Sequence, residues 1–177
     1  FEIGKLNILL VSDVSIWRVI GGAERVLYEQ ATRLAKREHN VHILTRRLTG
    51  HASNHEVIQG VNEWRYRADI SNPIVFLKTT LTIGRKLFER LHRQYLFDCI
   101  NLHQPFSALA VIRSPESLDI RRIYTCHSLS PEEYISRNPK PEKLSKRLTY
   151  QLNVQGRKWI EKKAIEQSHH VITLRKF

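Results

Sequence analysis

The stretch GGAERVLYEQATRLAKREHNVHILT, Gly21 to Thr45, decides the fold. Ala23, Leu27, Ala31, Leu34 and Ala35 recur at helical spacing, while Glu24, Arg25, Glu29, Arg33, Lys36 and Arg37 take the other face. This periodicity predicts an amphipathic helix from Ala23 to about His39. A turn at His39-Asn40 leads into an apolar strand, Val41 to Thr45. Upstream, KLNILLVSD (Lys5 to Asp13) is a near-continuous apolar run ended by small polar residues, as in a strand buried on both faces of a parallel sheet. Strand, helix and strand in such close order make a βαβ unit, whose crossover is right-handed.

The alternation continues outward. Val61 to Ala68 (VNEWRYRA) predicts a third strand after a polar loop holding Gly50, His51, His55 and Gly60. Pro73 opens a helix to about Tyr95, striped by Ile74, Leu77, Leu81, Gly84, Phe88, Leu91 and Tyr95. Phe97 to His103 reads as a fourth strand, Pro105 to about Ser117 as a short helix, and Arg121 to His127 as a fifth strand. A Pro-marked charged loop, Ser130 to Glu142, precedes a long basic helix to about Gln167, with Leu144, Leu148, Leu152, Trp159 and Ile160 as its stripe. Val171 to Leu174 is the last strand. The pattern predicts an α/β fold: an open, mostly parallel Rossmann-like sheet with helices on both faces.

A chain of 177 residues forms one domain of ordinary size, burying about two thirds of its extended surface. Cys99 and Cys126 lie far apart in apolar segments, which fits reduced, buried thiols and a cytoplasmic setting. No apolar run is long enough for a signal peptide or a spanning helix. The start at Phe1 and the lack of methionine suggest a piece of a longer polypeptide. The charge is the strongest compositional feature: 29 Lys and Arg against 17 Asp and Glu leave +12. Such a field favours an anionic partner: nucleic acid, acidic lipid or a phosphorylated small molecule.

In doubly wound sheets, ligands gather beyond the carboxyl ends of the strands. Those ends hold Ser12-Asp13, His103-Gln104 and His127-Ser128. Gly21 and Gly22 precede a helix N-terminus, where the absence of Cβ lets an anion or sugar come close to the backbone. The same glycines also serve a simple loop-to-helix turn, and the residues alone leave both readings open. Asp13 either orients a substrate or caps its loop, and His103 and His127 either meet a ligand or satisfy strand ends.

Taken together, KLNILLVSD, the GGAE-led block, DCINLHQPFSALA, RRIYTCHS and WIEKKAIEQSHHVITL resemble the N-terminal domain of the family 4 glycosyltransferases, from about Lys5 to Leu174. These are retaining, nucleotide-sugar-dependent enzymes of GT-B architecture. The resemblance implies that Gly21 and Gly22 approach donor phosphate or acceptor in the interdomain cleft. It puts His127 near the transferred sugar, with Ser128 beside it, and His103 and Asp13 on the acceptor side. It implies no metal and no cofactor beyond the nucleotide-sugar substrate, and the DxD signature of metal-dependent transferases is absent. The C-terminal domain that holds most of the donor, including a pair of glutamates separated by seven residues, is missing from this sequence. The expectation is therefore an acceptor-side domain that is inactive alone and acts on a glycan or lipid-linked acceptor.

The basic helices from Pro73 to Tyr95 and Glu142 to Glu166 either meet an anionic inner membrane surface peripherally or pack their stripes on the sheet. The rival class is a basic Rossmann-like module binding nucleic acid without catalysis. It lacks an RRM aromatic pattern, zinc-finger spacing or a helix-turn-helix, which makes nucleic acid the weaker partner. A simple nucleotide-binding protein is disfavoured by the absence of a P-loop and of GxGxxG.

Overall fold

The computed structural model describes residues 4–173, and its backbone alternates as the apolar periodicity requires. β1 (Asn7–Val11), α1 (Gly22–Lys36) and β2 (Asn40–Arg46) form the first βαβ unit. A hairpin follows, β3 (His55–Ile58) and β4 (Val61–Tyr66). Then come α2 (Pro73–Thr79), a π-helical segment (Thr80–Gly84), α3 (Arg85–Tyr95) and β5 (Cys99–Leu102). α4 (Pro105–Ile112), a 3-10 turn (Pro115–Ser117), β6 (Arg121–Cys126), α5 (Ser130–Arg137), α6 (Leu144–Glu166) and β7 (His170–Thr173) complete the described chain.

The sheet order is β3-β4-β2-β1-β5-β6-β7, and every pairing is parallel except β3 with β4. Period-two alternation along β1 divides the core between the two faces. Leu9 and Val11 join Phe88 and Leu91 of α3, Ala108 and Val111 of α4, and Ile160 and Ala164 of α6. Ile8 and Leu10 join Leu27 and Ala31 of α1. β1 lies between β2 and β5, so the winding reverses there and the crevice opens beyond the ends of β1 and β5.

Several expectations are corrected. The polar stretch before Gly60 contains β3; as an edge strand it needs no continuous apolar run. Gln59 and Gly60 both have positive φ (50° and 80°), as in the two-residue turns that match strand twist. The helix from Pro73 to Tyr95 is broken by its π segment, which brings Gly84 so close to α4 that a Cβ there would stand 3.2 Å from Ala110 Cβ. The stretch from Ser130 carries α5, with Pro131 in its first turn and Glu132 and Glu133 complementing its N-terminus. The last strand runs His170–Thr173, and Leu174 lies outside the described residues.

The largest correction concerns α6. Leu144, Leu148 and Leu152 are 80%, 63% and 64% exposed, and Trp159 is exposed as well. Of the expected stripe only Ile160 enters the core, beside Val154 and Ala164. At 1.5 Å per residue this helix is about 35 Å long, and only its C-terminal half reaches the core. Its N-terminal half lies beside α5, where Tyr150 packs on Tyr134 at 5.6 Å. Ile74, expected on the α2 stripe, is exposed too.

Candidate functional site at the carboxyl rim of the sheet

The chain leaves β1 at Ser12-Asp13, and both residues are tied at once to the segment that leaves β5. Gln104 Oε1 accepts from Ser12 Oγ (2.9 Å) and from the Asp13 backbone N–H (2.7 Å). Asp13 Oδ1 accepts from Ser107 N (2.8 Å) and Ser107 Oγ (2.6 Å), so its carboxylate caps the first turn of α4. Ser107 Oγ also meets Tyr66 Oη at 2.7 Å. Asp13 thus caps a distant helix start rather than its own loop. Burial pushes its pKa up, opposed by the Ser107 hydrogen bonds and the Arg46 charge.

His103 and His127 come together. His103 Nδ1 and His127 Nε2 are 2.9 Å apart, so one ring donates to the other. His103 is 2% exposed, and its Nε2 and His127 Nδ1 are both buried without a protein partner. If His103 Nδ1–H donates, His127 carries its proton on the unpartnered Nδ1; if His127 Nε2–H donates, the unpartnered proton sits on His103 Nε2. The pair thus always leaves one unmet donor and one unmet acceptor. Burial, followed by the charge of His127, lowers His103 to about 3. Burial lowers His127 as well, against the opposing pull of Glu133 and Glu24.

That pull also places α1, because Glu24 stands in its first turn. Glu24 Oε2 folds back to accept from Gly21 N at 3.1 Å. Among the described glycines only Gly50 and Gly60 have positive φ, so neither Gly21 nor Gly22 is required by backbone conformation. A Cβ on Gly21 would meet the movable tip of Glu24 at 2.8 Å, and one on Gly22 would meet nothing within 4 Å. The start of α1 is thus open on the side where a side chain would stand. No hydrogen bond joins either glycine to the histidines; the link is electrostatic, through Glu24.

Ser128, exposed after β6, donates from Oγ to Glu133 Oε2 at 3.1 Å. The turn behind it is fixed by Glu161 of α6, which accepts from Ser130 N (2.9 Å) and Tyr124 Oη (3.0 Å). Burial raises the Glu161 pKa. Asp13, Glu24 and Glu161 thus each serve a helix start at this rim.

Sequence reasoning missed a second support for the glycine loop. Glu63 of β4 is fully buried and accepts from Ser15 Oγ (2.6 Å), Ile16 N (2.8 Å) and Arg65 Nε (2.6 Å). Arg65 extends to Glu56 at 2.8 Å, and His51 Nε2 lies 3.1 Å from Ser15 Oγ. The loop from β1 to α1 is therefore anchored to β4. The only available signal was two opposite charges two apart in VNEWRYRA, indistinguishable from a solvated strand face.

Chemically, the rim offers hydrogen-bonding imidazoles, a helix start open to approach, and cations on neighbouring elements. Such a set suits a phosphate-bearing or hydroxyl-rich ligand. Among the described residues, no group of three or more His, Cys, Asp or Glu converges on a metal position.

The family model described as Glycosyltransferase Family 4 matches residues 20–177. No curated protein matches the chain in sequence. In fold the chain is similar to sucrose-phosphate synthase from Thermosynechococcus elongatus, with a TM-score of 0.64 and 16% identity, covering 96% of this chain and 47% of that one. It is also similar to the catalytic domain of starch synthase IV from Arabidopsis thaliana, solved bound to ADP and acarbose: TM-score 0.53, 15% identity, 71% of this chain and 34% of that one. At such identities the likeness is one of fold, and this chain spans about half the length of the synthase it matches.

Proposed function

The chain belongs to Glycosyltransferase Family 4, and on that premise we propose that it forms the acceptor-side domain of a retaining glycosyltransferase. The observation that carries the reading is the open start of α1. Neither backbone conformation nor packing calls for glycine at position 22, which leaves the approach of a ligand to the helix N-terminus as its physical use.

In this reading a nucleotide-sugar donor is held chiefly by a second Rossmann-like domain, and its phosphates face Gly21 and Gly22. The ADP in the starch synthase structure supports a nucleoside diphosphate as the leaving group. His127 positions the transferred sugar, His103 fixes the His127 ring, and Ser128 contributes to the acceptor side. Asp13 enters through α4, whose N-terminus it caps. Charge developing on the leaving phosphate is met by helix N–H groups and cations, so the reading invokes neither metal nor further cofactor.

The acceptor is a glycan or a lipid-linked saccharide, and the domain works in the cytoplasm with peripheral contact at the inner membrane surface. Supporting this are the exposed Leu144, Leu148 and Leu152 of α6, interleaved with Lys146 and Arg147, and a net charge of +12. Cys99 and Cys126 are free thiols. No helix among the described residues is long and apolar enough to cross a membrane.

The test is transfer by the natural polypeptide that contains this chain, assayed across a panel of nucleotide hexoses with and without membrane lipid extract as acceptor. Transfer with retained anomeric configuration is expected, and none from residues 1–177 alone. A folded, intact polypeptide that transfers no sugar, or inverts the anomeric centre, overturns the reading.

A further inference from the structure

The amino end of the sheet, opposite the rim, carries a polar hollow of its own. β1 and β2 both start there, at Asn7 and Asn40, and α1 ends beside them. The hollow measures about 510 Å³ and is lined by Lys5, Ala35, Arg37, Glu38 and His39. At 1.5 Å per residue, the 15 residues of α1 put about 22 Å between it and Gly22.

α1 ends in a Schellman-type closure: Glu38 N donates to the Ala35 carbonyl (2.9 Å) and His39 N to that of Leu34 (3.3 Å). This closure holds Glu38 at φ 66°, the left-handed conformation for which glycine or asparagine is the usual choice. A glutamate there carries strain, and its carboxylate recovers none of it, having no hydrogen bond or ion pair among the described residues. Asp98, at the same end of the sheet, is by contrast tied to Asn7 N at 2.8 Å. His39 Nδ1 accepts from Leu6 N at 3.3 Å, so the neutral ring carries its proton on Nε2, which meets no acceptor among the described residues. Lys5 and Arg37 are exposed, and neither enters an ion pair among the described residues. Two cations, one N–H donor and one carboxylate, all unspent, thus surround the methyl of Ala35.

Strain that brings no contact within the chain points to a contact outside it. Lysine and arginine together suit a phosphate, a carboxylate accepts from two neighbouring hydroxyls, and the volume is that of a small-molecule pocket. The closing bonds occupy the Leu34 and Ala35 carbonyls, which leaves fewer acceptors at the helix end to repel an anion. We propose that this hollow binds a phosphorylated sugar, with Lys5 and Arg37 on its phosphate and Glu38 and His39 Nε2 on its hydroxyls. Inorganic phosphate alone would face the Glu38 charge, and a neutral sugar would leave both cations unmet. The site lies far from the rim and stands whether or not the rim performs transfer.

The natural polypeptide that contains this chain is titrated calorimetrically with ribose 5-phosphate, mannose 6-phosphate, inorganic phosphate and ribose. Saturable binding of a sugar phosphate is expected, at least about tenfold tighter than phosphate or ribose, the scale of one charge-assisted hydrogen bond. Arg37→Gln should weaken it by a similar factor. Arg33→Gln, on the same helix but paired with Glu29, should bind as the parent does. Glu38→Gly separates binding from folding: the melting temperature should rise as the strain is relieved, while the preference for sugar phosphate over phosphate collapses. His127→Ala, at the rim, should leave the titration unchanged. No saturable binding of either sugar phosphate, equal losses in Arg37→Gln and Arg33→Gln, or a loss in His127→Ala with none in Arg37→Gln overturns the site. A Glu38→Gly variant that keeps the parent's preference overturns the sugar contact. The titration needs no sugar donor, so its failure is distinct from a failure of glycosyl transfer.

Discussion

His103 Nδ1 lies 2.9 Å from His127 Nε2, joining the end of β5 to the end of β6 by a bond between two neutral imidazoles. Because burial holds His103 at about 3 and lowers His127, the folded state binds fewer protons than the unfolded chain below the ordinary histidine value near 6.5. A depressed pKa contributes stability that is complete above that value and is lost as pH falls toward 3. Buried His42, lowered to about 4, adds in the same direction. Melting temperature should fall steadily below pH 6.5. The His103 share is roughly 1 kcal/mol per pH unit, so His103→Gln should flatten the curve. An equally steep acid limb in the variant would contradict this assignment.

Asp13 should separate charge from hydrogen bonding. Its Oδ1 accepts both bonds from Ser107, and Asn offers the same acceptor without a desolvated charge. Asp13→Asn is expected to be neutral or stabilising at pH 7, because the native pKa is raised and the ionised form is the one burial penalises. Asp13→Ala should lose about 1–2 kcal/mol with its cap. Denaturant melts of both variants decide it.

Glu63 is fully buried beside Arg65 at 2.6 Å. Glu63→Ala leaves that guanidinium with the Ser53 carbonyl and the partly exposed Glu56 carboxylate and frees Ile16 N, and should cost about 3 kcal/mol in urea unfolding. Hydrogen exchange should speed up in the loop from Val14 to Gly21 before it does in β1. Uniform acceleration across the sheet would mean that the network holds the fold rather than the loop.

Gly22→Ala should part stability from function. The added methyl enters open space, and alanine gains up to about 1 kcal/mol over glycine within a helix. The variant of the intact polypeptide is expected to melt no lower than the parent, yet to show a raised KM for the nucleotide sugar. Unchanged kinetics would return the glycine to a purely local role.

Leu148 and Leu152 should be dispensable for folding, being more than half exposed. Replacing both by serine is expected to leave the melting temperature within about 2 °C, since surface changes rarely exceed 0.5 kcal/mol. Binding to anionic vesicles should drop at the same time. Retained vesicle binding would move the membrane contact elsewhere.

The sequence by itself determined the α/β alternation, a mostly parallel sheet and which residues stand at the strand ends. Apolar runs such as Ile8 to Val11 are buried on both faces only in a covered sheet, and the period of Leu27 and Ala31 places α1 upon it. It also carried the family, through the GGAE block and the strand-end histidines, because those features are local in the chain. Tertiary structure alone decided what each polar residue does. Asp13 became a cap because Ser107, 94 residues away, supplies two donors. His103 and His127 became a pair because β5 and β6 are neighbours in register. The α6 leucines, helical in spacing, stayed outside because periodicity specifies a face but not whether anything lies opposite it. The hollow at the amino end gave no sign in sequence at all: Glu38 reads as one more polar residue after α1, and only the backbone reveals the left-handed turn that holds it beside Lys5.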